Sequence, residues 1–240
     1  MTPRVVIAGF GDTGVLVAIH LGRGFDVVGI STKPGLVSGQ ELGTRLTRPE
    51  LWKSDYLMPF GRYKRLDDVR IVQGRIRSID LEAQSLTVER PGGEVQVEPY
   101  DALVISSGVT NGFWRNDAVE DWDSIGAGIE QAAAEISRAR RVAIVGGGAT
   151  GVSVSANVKA RYPETDVHFF FTEAQPLPGY HPKARDRIEA ELESAGVALH
   201  PQHRAIIPDG FDCDGMTSDP VEWSTGQPPF EADLVLWSVG

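Results

Sequence analysis

The chain is 240 residues long and 41% hydrophobic, enough to build one large or two modest globular domains with ordinary cores. Its formal net charge of −10 excludes a general nucleic-acid binder, which needs a basic field to displace counterions from phosphates. No apolar run approaches the roughly 18–20 residues that cross a bilayer, the N-terminus has no signal-peptide pattern, and the single cysteine, Cys213, excludes an internal disulfide or redox-active pair. The expectation is a cytoplasmic protein with no transmembrane segment.

Residues 4–8, RVVIA, are a largely β-branched run ending at Gly9 and predict a strand buried on both faces. From Thr13, the positions Val15, Leu16, Ile19 and Leu21 fit helical spacing, and Gly22 and Gly24 supply a stop. FDVVGIST, residues 25–32, predicts a second strand. Residues 33–65 are broken by prolines and glycines, with aromatic and basic side chains interleaved. That mixture can bind single-stranded nucleic acid, but the acidic balance favours a loop-and-helix insert packed over a ligand.

Alternation from Val69 to Val97 predicts a meander of short antiparallel strands, and YDALVISSG, residues 100–108, is a continuous apolar run closed by glycine. Residues 109–123 read as a connector before a helix from about Ile129 to Arg140. A second round begins at Arg141. RVAIVGGGATG is strand and turn, Val152 to Ala160 a helix, TDVHFFFTE a strand, and about Pro182 to Ala195 a helix stopped by Gly196. VALHPQHRA opens another strand, and ADLVLWSVG ends the chain. Asp101–Gly108 and Asp233–Gly240 share the pattern Asp, six residues, Gly. A repeat of this period means two related domains rather than an array.

Each round opens on G-x-G-x-x-G. In Gly9, Gly11 and Gly14 the first glycine permits a sharp exit from the strand and the second leaves room for a pyrophosphate. The third lets helix and strand pack closely, and the helix N-terminus, with Asp12 and Thr13 in its first turn, offers N–H groups to phosphates. Gly146, Gly148 and Gly151 repeat the spacing, with Ala149 and Thr150 between the last two. Both copies follow a predicted strand and open a predicted helix, the context that makes this motif informative.

The order VVIAGFGDTG, meander, YDALVISSG, VAIVGGGATG, ADLVLWSVG resembles the FAD- and NAD(P)-dependent pyridine nucleotide oxidoreductases. Within them it is most similar to the branch of type II NADH dehydrogenases and apoptosis-inducing-factor-like or ferredoxin-reductase-like flavoproteins. The resemblance implies an α/β fold of two Rossmann-like three-layer domains, each with a parallel sheet and a small antiparallel meander. Residues 1–110 would hold FAD at Gly9, Gly11 and Gly14, closed by Gly108, and residues 111–240 would hold NAD or NADP at Gly146, Gly148, Gly151 and Gly240. It implies hydride passing from NAD(P)H to FAD and electrons to a small-molecule or protein acceptor such as a quinone or ferredoxin, and it admits a homodimer.

The chain departs from that pattern in several places. A dinucleotide fold normally ends its second strand with an acid for the adenosine ribose, and counting puts Ser31 there in the first round. In the second, Glu173 takes the ribose of NADH, or Thr172 sits there with Lys183 or Arg185 reaching a 2′-phosphate. Relatives often carry a glutamate two residues past the last glycine, where this chain has Ser153, read as helix surface or a neutral donor to the cofactor. His200 and His203 have metal-like spacing without further ligands, so no metal site is assigned. Relatives continue past the final glycine, so the chain reads as a fragment of a longer protein. The expected function is a flavin-dependent NAD(P)H oxidoreductase with no assignable proton-transfer residue; the alternative is a non-catalytic nucleotide-binding relative.

Overall fold

The computed structural model of the chain describes residues 2–37, 42–108, 117–213 and 215–239. These fall into two compact units, one made of 2–37, 53–108 and 117–126, the other of 42–52, 127–213 and 215–239. The fold is α/β, with parallel and antiparallel sheets.

The first unit opens with β1 (Arg4–Ala8), α1 (Asp12–Leu21) and β2 (Asp26–Ser31). Its main sheet has the order β5-β2-β1-β9, all parallel, with β5 at Arg70–Gln73 and β9 at Ala102–Ile105. The continuous apolar run of β1 is explained by its two covered faces. Val6 and Ala8 join a cluster with Leu86, Val88 and Tyr100, whereas Ile7 joins Phe10, Val15, Ala18 and Phe60. A short antiparallel pair, β3 (Gly35–Val37) with β4 (Leu57–Pro59), brings Leu36 to the second of these clusters.

The meander is β6 (Arg75–Asp80), β7 (Ser85–Glu89) and β8 (Val95–Pro99), paired antiparallel in that order. It is shorter than expected: β5 lies in the parallel sheet, and the chain turns out of it at Gly74, whose N–H donates to the Ser31 carbonyl at 2.8 Å. Arg70 of β5 ties the layers together by donating to the buried Glu98 carboxylate of β8 at 2.9 Å.

The second unit holds α2 (Leu42–Thr47), α3 (Pro49–Leu51), most of α4 (Trp122–Arg138), β10 (Arg141–Val145), α5 (Ala149–Arg161), β11 (Asp166–Phe170), α6 (Pro182–Ser194), β12 (Ala198–His200), β13 (Met216–Thr217) and β14 (Leu234–Trp237). Its sheet runs β12-β11-β10-β14-β13, parallel except for the antiparallel β13. Helix α4 starts at Trp122, seven residues before the expected helix, because the Asp121 carboxylate accepts the Ser124 N–H at 2.8 Å and caps it. Helix α6 ends where Gly196 takes φ +85°. No three-stranded meander forms among the described residues here; isolated bridges join Ala205 to Trp223 and Val221 to Phe230.

The aspartates of the repeated Asp-x6-Gly pattern have a structural role. Asp101 accepts the Arg4 N–H at 2.6 Å, and Asp233 accepts those of Arg140 and Arg141 at 2.8 and 2.9 Å. Arg4 pairs with Asp26 at 2.7 Å and Arg141 with Asp166 at 3.1 Å, so each unit's first strand is anchored in the same way. Among the described residues no helix is long and apolar enough to cross a membrane.

Candidate dinucleotide-binding sites

The two glycine turns have the same construction. After β1, Gly9 takes φ +96° and its N–H donates to the Ile30 carbonyl at 3.1 Å. A Cβ there would stand 2.5 Å from the Ser106 carbonyl oxygen, and the Ser106 hydroxyl donates to the Gly9 carbonyl at 2.7 Å. Inside α1, a Cβ on Gly14 would lie 2.3 Å from that carbonyl oxygen. Gly9 and Gly14 are thus demanded by the polypeptide itself.

Gly11 is different. It is exposed, has φ −88° and ψ −156°, and a Cβ on it would meet nothing within 4 Å among the described residues. Any residue can adopt that backbone conformation, so its lack of a side chain leaves open space. No side chain caps α1, whose first-turn residues Asp12 and Thr13 are exposed. Uncapped N–H groups and the positive end of the helix dipole therefore face that space, an arrangement suited to a phosphate.

The second turn repeats this. Gly146 takes φ +125°, its N–H donates to the Phe170 carbonyl at 3.0 Å, and a Cβ there would be 2.5 Å from the Ser238 carbonyl oxygen. The Ser238 hydroxyl lies 3.0 Å from the Val145 carbonyl and 3.2 Å from that of Gly146, its proton shared between the two. A Cβ on Gly151 would lie 2.1 Å from the Gly146 carbonyl oxygen, whereas one on Gly148 would meet nothing within 4 Å among the described residues. Gly148 is the uncapped N-cap of α5, and Ala149 and Thr150 are exposed in its first turn. The extra glycine, Gly147, is needed because a Cβ would stand 2.7 Å from that of Phe171.

The matched N–H bonds to Ile30 and Phe170 align the ends of the second strands, making Ser31 the counterpart of Phe171 and Lys33 that of Glu173. Ser31 is buried, and its hydroxyl accepts the Lys33 N–H at 3.0 Å, closing its own turn. Thr172 and Glu173 are exposed just beyond the buried Phe171. Gly108 follows β9 with φ +74°, and a Cβ on it would meet nothing within 4 Å among the described residues; Gly240 lies outside them.

Ser153 is half-buried on α5 beneath α2, where a Cβ on Gly43 would be 2.3 Å from the Ser153 carbonyl oxygen. His200 belongs to an aromatic cluster, stacking on Phe170 with centroids 4.3 Å apart and bonding His168 through Nε2 to Nδ1 at 2.8 Å. Burial, with the neighbouring His168 and His203, pushes its pKa down to about 4. Among the described residues no group of His, Cys, Asp or Glu is placed to hold a metal ion. A groove lined by Arg140, Arg141, Asp166 and Asp233 lies at the starting ends of the strands, away from the glycine turn at their finishing ends.

The chain matches the pyridine nucleotide-disulphide oxidoreductase family over residues 3–240. It is 29% identical over 206 residues to ferroptosis suppressor protein 1 of Xenopus tropicalis, covering 82% of this chain and 51% of that protein. To the type II NADH:quinone oxidoreductase NdhA of Mycobacterium tuberculosis it is 27% identical over 271 residues, covering 99% of this chain and 56% of the relative. The chain thus spans about half the length of these curated relatives. The solved structure of NDH2 from Plasmodium falciparum in complex with NADH superposes with a TM-score of 0.73 at 14% identity, covering 100% of this chain and 55% of that one. Four ordered motifs, two glycine turns built alike and a family match spanning nearly every residue lead to one statement: the chain belongs to the pyridine nucleotide-disulphide oxidoreductase family.

Proposed function

We propose that the chain forms the dinucleotide-binding part of a flavin-dependent NAD(P)H oxidoreductase, with FAD at the first glycine turn and NAD(P)H at the second, each in a Rossmann-like domain. The observation that carries this is the shared division of labour within the turns. The outer glycines have no room for a side chain, while Gly11 and Gly148 keep open a space that none of the described residues fills.

The residues present fit a dinucleotide. Gly9 and Gly146 turn the chain out of the sheet, and the hydroxyls of Ser106 and Ser238 lie within hydrogen-bond distance of the turn carbonyls. The N–H groups at the starts of α1 and α5 would bind pyrophosphate oxygens. At the second turn the exposed Glu173 would accept both ribose hydroxyls and oppose a 2′-phosphate, so NADH is the preferred donor. Bound FAD would take a hydride equivalent from the reduced nicotinamide and pass electrons onward, chemistry that belongs to the cofactors while the chain supplies binding and orientation. A quinone is the first acceptor to test, because one curated relative is an NADH:quinone oxidoreductase.

The test is an anaerobic visible spectrum of the chain with bound FAD, before and after NADH is added. The proposal expects a flavin band that bleaches with NADH and more slowly with NADPH. A chain that stays colourless after incubation with FAD and gel filtration contradicts it.

A further inference from the structure

At the end of β2 the chain carries a cation where the end of β11 carries a carboxylate, Lys33 against Glu173. A lysine has three donors and no acceptor, so alone it cannot receive the hydroxyls of a ribose. Lys33 is, however, engaged: its ammonium pairs with the Glu120 carboxylate through Oε2 and donates to the Ala118 carbonyl at 2.9 Å.

The segment carrying Glu120 is fixed against the end of β2 at several points. Its N–H donates to the Thr32 carbonyl at 3.2 Å, and its carbonyl accepts from the Gln73 side chain at 2.8 Å. Trp122 packs against Gly35, where a Cβ would stand 2.5 Å from the indole ring. The side chains of Lys33 and Glu120 retain 12% and 23% of their exposure, so the pair is largely withdrawn from water while the carboxylate stays reachable. A carboxylate offers about four acceptor sites, and an ion pair with one oxygen leaves acceptor capacity over.

We propose that Glu120, oriented by Lys33, supplies the carboxylate that grips the adenosine ribose of FAD at the first turn, replacing the acid that the end of β2 lacks. The inference rests on the proposed placement of FAD there. Lys33 is a positioning residue in this arrangement, and Glu120 cancels the preference for a 2′-phosphate that an unneutralised cation at this place would create.

The test compares FAD dissociation constants, from quenching of flavin fluorescence, for the 240-residue chain, Glu120→Gln and the double variant Lys33→Glu/Glu120→Gln, with NADH affinity as a check on the fold. Loss of a hydrogen-bonded charge predicts FAD binding about 10- to 100-fold weaker in Glu120→Gln. The double variant lacks the ion pair but places a carboxylate as Glu173 stands in the second unit, so it should recover most of that loss. A purely structural ion pair predicts no recovery, and that result overturns the inference, as does unchanged FAD affinity in Glu120→Gln. If the unaltered chain binds no FAD, the functional proposal falls and this inference falls with it; the other two results leave that proposal standing.

Discussion

Gly148→Ala tests whether this glycine serves a ligand rather than the fold. At φ −80° and ψ −177° alanine fits the backbone, and its methyl would meet nothing within 4 Å. Reduced freedom of the unfolded chain favours alanine by about 0.4–1 kcal/mol. Its poorer performance as a helix N-cap costs roughly 0.5–1 kcal/mol. The two nearly cancel, and at roughly 2–4 °C per kcal/mol for a chain of this size the nucleotide-free Tm should move by less than about 2 °C. On the proposed placement of NADH, the methyl would occupy the path of the pyrophosphate, an overpacking cost of roughly 1–3 kcal/mol, or about 5- to 150-fold in Kd. Thermal melts without nucleotide and fluorescence titration with NADH measure the two halves separately. An unchanged NADH Kd, or a fall of several degrees in the nucleotide-free Tm, refutes the reasoning.

Gly151→Ala should do the reverse: with its Cβ 2.1 Å from the Gly146 carbonyl oxygen and 2.7 Å from the Phe169 ring, it should destabilise the nucleotide-free chain by roughly 1–3 kcal/mol or more, visible as a lower Tm. His200 predicts a loss of stability in mild acid. Its pKa is held down to about 4 in the folded chain against an ordinary 6.5, by burial first and then by His168 and His203, with Asp166 opposing. The unfolded chain therefore takes up the proton first, so this contribution is complete above pH 6.5 and is lost as pH falls towards 4. The shift corresponds to a ceiling of about 3 kcal/mol, reduced to roughly 1–2 kcal/mol because the half-buried ring is partly screened by water. Urea melts at about pH 7 and about pH 5 should show His200→Phe losing less stability between them than the unaltered chain; equal losses contradict the assignment.

The glycine turns were legible from their spacing after a strand and before a helix, although only Gly14 and Gly151 answer to a carbonyl five residues earlier, whereas Gly9 and Gly146 answer to Ser106 and Ser238 far along the chain. What the sequence left unread is non-local. The alternation of RIVQ in β5 looks like that of the meander, and only its pairing with β2 makes it parallel. The aspartates of the repeated pattern were visible as a pattern, but their role became clear only where Asp101 and Asp233 meet the N–H groups at the starts of β1 and β10. Counting forward reaches Ser31 as the ribose position; that Lys33 stands in register with Glu173 and meets Glu120, 87 residues further along the chain, is visible only in the fold. Helix α2 is short and broken from its neighbours by glycine and proline, so periodicity does not mark it; its place is set by Gly43 against Ser153.

The central claim is that each glycine turn seats a different dinucleotide. Equilibrium titration of the chain with FAD and with NADH, repeated on Gly11→Ala and Gly148→Ala, tests it most directly. The account predicts one equivalent of each cofactor per chain, with Gly11→Ala weakening only FAD and Gly148→Ala weakening only NADH. Both variants affecting the same cofactor, or neither affecting any, would contradict it.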